Sequence, residues 1–154
     1  MATSAVPAAI TQLLAILRDP PIDKVDVIDG PPTEDVNTQD IIAIGWVPDN
    51  DQAAELTQTF NAAGARTRDE DFAISGVVDV WSGDTDFTFV RARVFELLGE
   101  LEQRLRATNT NPEAPTLNGA VLWAHLTAGV LRQYFAEQGV RAALTFTVTC
   151  HARI

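Results

Sequence analysis

From Leu144 to Ile154 the chain alternates without a break. Leu144, Phe146, Val148, Cys150, Ala152 and Ile154 are apolar, and Thr145, Thr147, Thr149, His151 and Arg153 between them are polar. Period 2 is the geometry of a strand with one buried and one wetted face, and β-branched Thr and Val suit the pleat. Such a strand presents backbone N–H and C=O groups along both sides, and these need partners. The end of the chain is therefore expected to be structural, and the rest of the sequence must supply a sheet for it to join.

Upstream, residues 7–18 read as a helix. Pro7 fits the first turn, Ile10, Leu13, Leu14 and Leu17 fall on one face, and Asp19-Pro20-Pro21 stops it. Lys24–Ile28 reads as a short strand with Val25 and Val27 on one side and Asp26 and Ile28 on the other, ended by Asp29-Gly30-Pro31-Pro32. Ile41–Val47 is the next strand, closed by Pro48. Residues 49–70 fit either a long loop or a loop with a short helix over 52–62. Phe72–Trp81 alternates again, with Gly76 as a possible bulge.

Residues 87–106 give the clearest helix, with a stripe of Val90, Val94, Leu97, Leu98, Leu101 and Leu105. Asp84 or Asp86 can cap it, and Arg104 and Arg106 suit its C-terminal dipole. Asn109–Asn118 is a loop. Ala120–Phe135 reads as a long strand, with a helix as the alternative, and Gly139 turns it into the terminal strand. The expected order is α, β, β, β, α, β, β. Short links favour antiparallel neighbours. The expected fold is α+β: a single domain over 1–154 with one antiparallel or mixed sheet of about five strands and two main helices on one face.

Recognisable catalytic chemistry is absent from the sequence. It has no phosphate loop, no dinucleotide-binding glycine pattern and no Gly-x-Ser-x-Gly elbow. His125 and His151 each sit in a predicted strand with no acidic or cysteine partner expected on the same face. Cys150 and His151 are adjacent, so in a strand they point to opposite sides and cannot share a metal ion. Cys150, the lone cysteine, excludes an intrachain disulfide and reads as a small buried apolar residue. Asp49 and Asp51 have the spacing of a calcium loop without its glycine and distal glutamate. Trp46, Trp81 and Trp123 are expected in the core or in subunit contacts, because no basic residues interleave with them. No catalytic residue, cofactor or metal ligand is assigned.

The net charge is −10, with 21 acidic residues against 11 basic ones. This disfavours a protein that holds nucleic acid by neutralising phosphates, or one that binds an anionic membrane. With no basic leader region and no long apolar run, the chain is expected in the cytoplasm of the cell that makes it.

Element order and several short phrases together carry a resemblance. They are Asp29-Gly30-Pro31-Pro32 after the first strand, then Ile41-Ile42-Ala43-Ile44-Gly45, Asp71-Phe72-Ala73-Ile74, Trp81-Ser82-Gly83-Asp84, an Arg91-Ala92-Arg93 helix, and Leu117-Asn118-Gly119 before the last two strands. From about residue 8 to 154, the chain resembles the small tail-assembly proteins encoded in the head-to-tail gene cluster of long-tailed bacteriophages. Within them it is most similar to the tail terminator family. That resemblance implies an α+β sandwich and a homohexameric ring at the head-proximal end of the tail tube. The ring stops tube growth and joins the tail to the head, a structural role in the virion without catalysis. The implied partners are further copies of the chain, the tail tube protein and a head-completion or neck protein. DNA passes through without specific binding, and no membrane is involved.

The acidic residues Asp49, Asp51, Asp69, Glu70 and Asp71 are expected to cluster in the long 49–71 loop, lining the ring's opening or one of its faces. Two other readings compete. One is a neck connector from the same gene cluster. The other is a small acidic ligand- or cation-binding domain built on that loop.

Overall fold

The computed structural model describes residues 3–33, 40–64 and 66–154. Its elements are α1 (Val6–Arg18), β1 (Val25–Asp29), β2 (Asp40–Ile44), β3 (Ala54–Phe60), β4 (Arg68–Ser82), α2 (Phe87–Arg104), β5 (Trp123–Ala136) and β6 (Gly139–Arg153). A short 3-10 turn at Ala114–Thr116 precedes β5. The fold is α+β, with six strands in one mixed sheet ordered β1-β2-β4-β6-β5, and β3 also pairs with β4.

β4 is the spine of the sheet. One side is zipped antiparallel to β6, from Asp69 opposite Arg153 to Ser82 opposite Val140. The other side is divided: β2 covers Gly76–Asp79 and β3 covers Arg68–Ile74. Ser75 joins the two, since its carbonyl accepts from Gly45 N at 2.7 Å and its N–H donates to Ala53 O at 3.0 Å. β2 and β3 are therefore one strand line interrupted by an excursion over residues 46–52. Gly45 makes the exit with φ of 79°, a conformation that costs glycine nothing.

Two expectations are corrected here. Residues 49–71 are neither one long loop nor a helix, because β3 and the start of β4 pair there as an antiparallel hairpin. Ala54, Leu56, Gln58 and Phe60 share one side of β3, and Glu55, Thr57 and Thr59 the other. The second correction concerns β1 and β2, which pair parallel rather than antiparallel. Fully extended, ten residues reach roughly 33 Å, and a five-residue strand spans about 17 Å. The link 30–39 is therefore long enough to return the chain to the start of a parallel neighbour.

Both helices pack on one face of the sheet, as expected. Leu13 and Leu17 of α1 and Val90, Val94, Leu97 and Leu101 of α2 are buried against Ile42, Ile74, Val78, Leu144, Phe146 and Val148. Cys150 lies in this layer, fully buried, and burial pushes its thiol up to about 12. Asp86 caps α2 by accepting from Thr88 N at 2.9 Å. Arg104 reaches across to α1, where it donates to Ile16 O at 3.0 Å and Leu17 O at 3.2 Å. It also pairs with Glu100 of its own last turn at 2.9 Å, so it serves both its own helix end and the C-terminal carbonyls of its neighbour.

Gly76 does not mark a bulge. The β4–β6 register runs through it unbroken, with Gly76 opposite Phe146. The irregularity lies in β5, between Leu126 and Ala128.

At the start of α1 the N-cap residue, Ala5, has no capping side chain, and Ser4 Oγ accepts from Val6 N at 3.0 Å. Glu70 of β4 supplies an acceptor from the sheet: it takes Ala5 N at 2.8 Å and Gln58 Nε2 at 2.6 Å, and it is fully buried. Glu70→Ala is expected to strand the buried Ala5 N–H, at about 1–3 kcal/mol for a buried unsatisfied group, whereas Gln58 Nε2 keeps its bond to Thr3 O. Glu70→Gln keeps an acceptor and should lose less. The midpoints of urea unfolding check the order, and an alanine variant as stable as the parent would show that Glu70 does not secure the helix.

Candidate functional site

The second face of the sheet carries no helix. By register it presents Asp69, Asp71, Ala73, Ser75, Val77, Asp79 and Trp81 from β4, and Arg141, Ala143, Thr145, Thr147, Thr149, His151 and Arg153 from β6. Trp123, His125, Val130, Arg132 and Tyr134 of β5 lie beside them. The excursion 46–52 folds over this face: Trp46 packs on Ala43, Val77 and Ala143, and Asp49 approaches Arg132 at 3.7 Å. All three tryptophans thus belong to the helix-free side: Trp46 packs on the small core cluster there, and Trp123 is partly exposed.

One end of the face holds a polar cluster. His151 Nδ1 lies 2.7 Å from Asp71 Oδ1, and its Nε2 lies 3.9 Å from Asp69 Oδ1. Arg153 Nε donates to Asp69 at 2.9 Å. The Trp123 ring stacks between the two imidazoles, with centroids 5.0 Å from His125 and 5.8 Å from His151. The expectation that His151 has no acidic partner on its face is overturned, because the β4–β6 register sets Asp71 directly opposite it. Thr127 and Thr149 hydroxyls beside this row bond to each other at 2.7 Å.

At the other end of the face Arg141 Nη1 pairs with Asp79 at 2.9 Å. Burial raises the Asp79 carboxyl above its usual range and outweighs the opposing pull of Arg141. Burial, and then the Asp79 charge, also push Tyr134 up.

The five acidic residues singled out in the sequence are not one cluster. Glu70 faces the helix side and is sealed. Asp69 and Asp71 face the opposite side and are held by Arg153 and His151. Asp49 and Asp51 are exposed on the 46–52 excursion. Among the described residues no group of three His, Cys, Asp or Glu side chains is placed to hold a metal ion. No helix of the structure is long and apolar enough to cross a membrane.

The sequence reading missed the apolar surface at the two edges of the sheet. Among the described residues β5 pairs only with β6, and β3 only with β4. On β5, Phe135 is 73% exposed and Val130 57%; on β3, Phe60 is 72% exposed and Leu56 47%. Phe87 of α2 meets Phe135 edge-on at 5.1 Å. Between α2 and β5 a groove of about 440 Å³ is lined by Phe95, Leu98, Leu126, Leu131 and Leu144. Long apolar edge strands left open are surfaces prone to pairing with another chain. Compared with known proteins, the sequence matches no family model and no curated protein.

Proposed function

We propose that this chain is a structural subunit that works by assembling with copies of itself and with neighbouring proteins. More particularly, we read it as a tail terminator of a long-tailed bacteriophage. In that role it forms a ring, taken as a hexamer, at the head-proximal end of the tail tube, where it stops tube growth and then joins the filled head. The observation that carries the reading is the pair of unpaired apolar edges, β3 and β5, at opposite sides of one sheet. Two different sticky surfaces on one molecule favour head-to-tail contacts, and head-to-tail contacts close into rings when the rotation allows. The α+β architecture with both helices on one face agrees with what the resemblance implies. The dispersal of the acidic residues takes support away from a cation-binding domain.

The test is removal of the chain from the particle that carries it. A terminator's loss leaves tail tubes that grow past their normal length and never join heads. Tails of normal length that fail to attach would point instead to a neck connector of the same gene cluster, and a single copy in a particle reconstruction would overturn the ring.

Passage of DNA sets a second expectation. With the chain's excess of acidic residues, the opening is expected to be acidic or neutral, so that the duplex slides without counterion release. The purified protein is expected to show no duplex binding at ~0.15 M salt. Tight binding that weakens steeply as salt rises would count against the pass-through role.

A further inference from the structure

We propose that the free edge of β5 in one copy pairs antiparallel with β3 of the next, with Leu56 against Phe135 and Phe60 against Leu131. The inference deepens the ring reading and rests on it for its partner, a second copy of this chain.

Strand direction comes first. β3 is antiparallel to β4, β4 to β6, and β6 to β5. β3 and β5 therefore run in opposite directions within one copy. A head-to-tail repeat that continues the sheet preserves these directions, so β5 meets the next β3 antiparallel, the pairing that gives straight hydrogen bonds. Among the described residues, no hydrogen bond reaches the outer edge of either strand from another segment.

The second argument is the match of side chains. Leu56 and Phe60 lie four residues apart on the helix side of β3, as their register with Phe72 and Arg68 shows. Leu131 and Phe135 have the same spacing on the helix side of β5, opposite Leu144 and Val140. Pairing Leu56 with Phe135 places Phe60 on Leu131, at the mouth of the α2–β5 groove. Cross-strand neighbours of this kind sit about 5 Å apart and are the unit of sheet stabilisation.

Competing edges are less suited. β1 lies on the same side of the sheet as β3, but it carries Asp26 and Asp29, and its Val27 carbonyl is already taken by the Arg18 guanidinium at 2.9 and 3.1 Å. Charged residues on an edge guard it against pairing. The proposed register ends β5 at Ala136, opposite Glu55, so the strand stops short of β1. No like charges stand opposite each other within the paired strands: Glu55, the one charged residue in β3, meets Ala136, and Arg132 meets Thr59.

The test uses two single variants, Leu56→Cys and Phe135→Cys, and a short bismaleimide that alkylates both thiols. Each position is exposed, so each variant is expected to fold, which its melting curve verifies. The native Cys150 is buried and protonated and stays out of the reaction. An equimolar mixture is expected to give at least tenfold more linked dimer than either variant alone. The variant carrying both cysteines is expected to give a ladder of linked oligomers. Linkage of Leu56→Cys or Phe135→Cys to itself would mean a two-fold contact and overturn the proposal.

Native mass spectrometry of the same samples separates this interface from the ring reading. Closed rings without linkage in the mixture overturn the interface and leave the ring. Linkage with only open chains keeps the interface and overturns the ring. Monomers without linkage overturn both.

Discussion

Replacing Phe146 by aspartate is expected to abolish cooperative unfolding, because the chain no longer folds. Phe146 is 2% exposed, on the helix side of β6, and is flanked by Gly76 on β4 and Gly129 on β5. Loss of the ring alone costs about 3–5 kcal/mol. A carboxylate buried there without a partner adds several more. The sum is on the order of the 5–15 kcal/mol that holds a domain of this size together. Val148→Asp, one turn of the pleat away and also fully buried, is expected to behave alike. Thr147→Asp places the same charge on the helix-free face, where Thr147 is half-buried beside Ser75 and Ala128. It is expected to fold and melt cooperatively, with a loss well below that of its neighbours. Thermal unfolding followed by circular dichroism distinguishes these outcomes. A soluble, cooperatively melting Phe146→Asp protein would mean that the two faces of β6 are assigned the wrong way round.

That face assignment was legible in the sequence because from Leu144 onward β6 is buried on one side only, so its chemistry follows its geometry residue by residue. The same holds for the stripe of α2. β3 was hidden for a physical reason: Leu56 and Phe60 stand four apart, which suits a helix face as well as every second position of a strand. Their exposure removes the burial contrast that would have decided between the two. The parallel β1–β2 pair was hidden because link length permits both directions, and only the partners of β2 fix the choice.

The site was less legible than the fold. His151 and Asp71 are far apart in the chain and meet only through the β4–β6 register, which no local pattern encodes. One part could have been read. Asp69, Glu70 and Asp71 are consecutive, so any strand through them sends Glu70 to the face opposite the other two. Reading the alternation of β4 back as far as Arg68 would have divided the acidic cluster and marked Glu70 as a buried acceptor. The apolar edges could not be found by periodicity, since an exposed Phe135 and a buried Phe146 look alike until the edge of the sheet is known.

The fit of Phe146 into the sheet leads to the other large expected effect. Gly76 adopts ordinary extended backbone, so any residue can take its conformation, and strand propensity alone favours replacing it. Packing reverses the sign. A Cβ at position 76 would stand 2.5 Å from Phe146 Cζ and 2.6 Å from the backbone oxygen of Ala43. The first contact can be relieved only by turning a ring that the core holds in place, and the second only by moving β2. Gly76→Ala is therefore expected to lose about 1–3 kcal/mol, the range for overpacking a filled core, and Gly76→Val more. The ring and the glycine form one fitted pair, so their changes should not add. In a Phe146→Leu background, Gly76→Ala is expected to cost less than in the parent chain, with a coupling of roughly 0.5–3 kcal/mol. The Ala43 contact persists in that background, so the recovery is expected to be partial. Urea unfolding of the four proteins in this cycle gives the numbers. A Gly76→Ala protein as stable as its parent, or a cycle with no coupling, would show that Phe146 does not depend on the missing side chain at position 76.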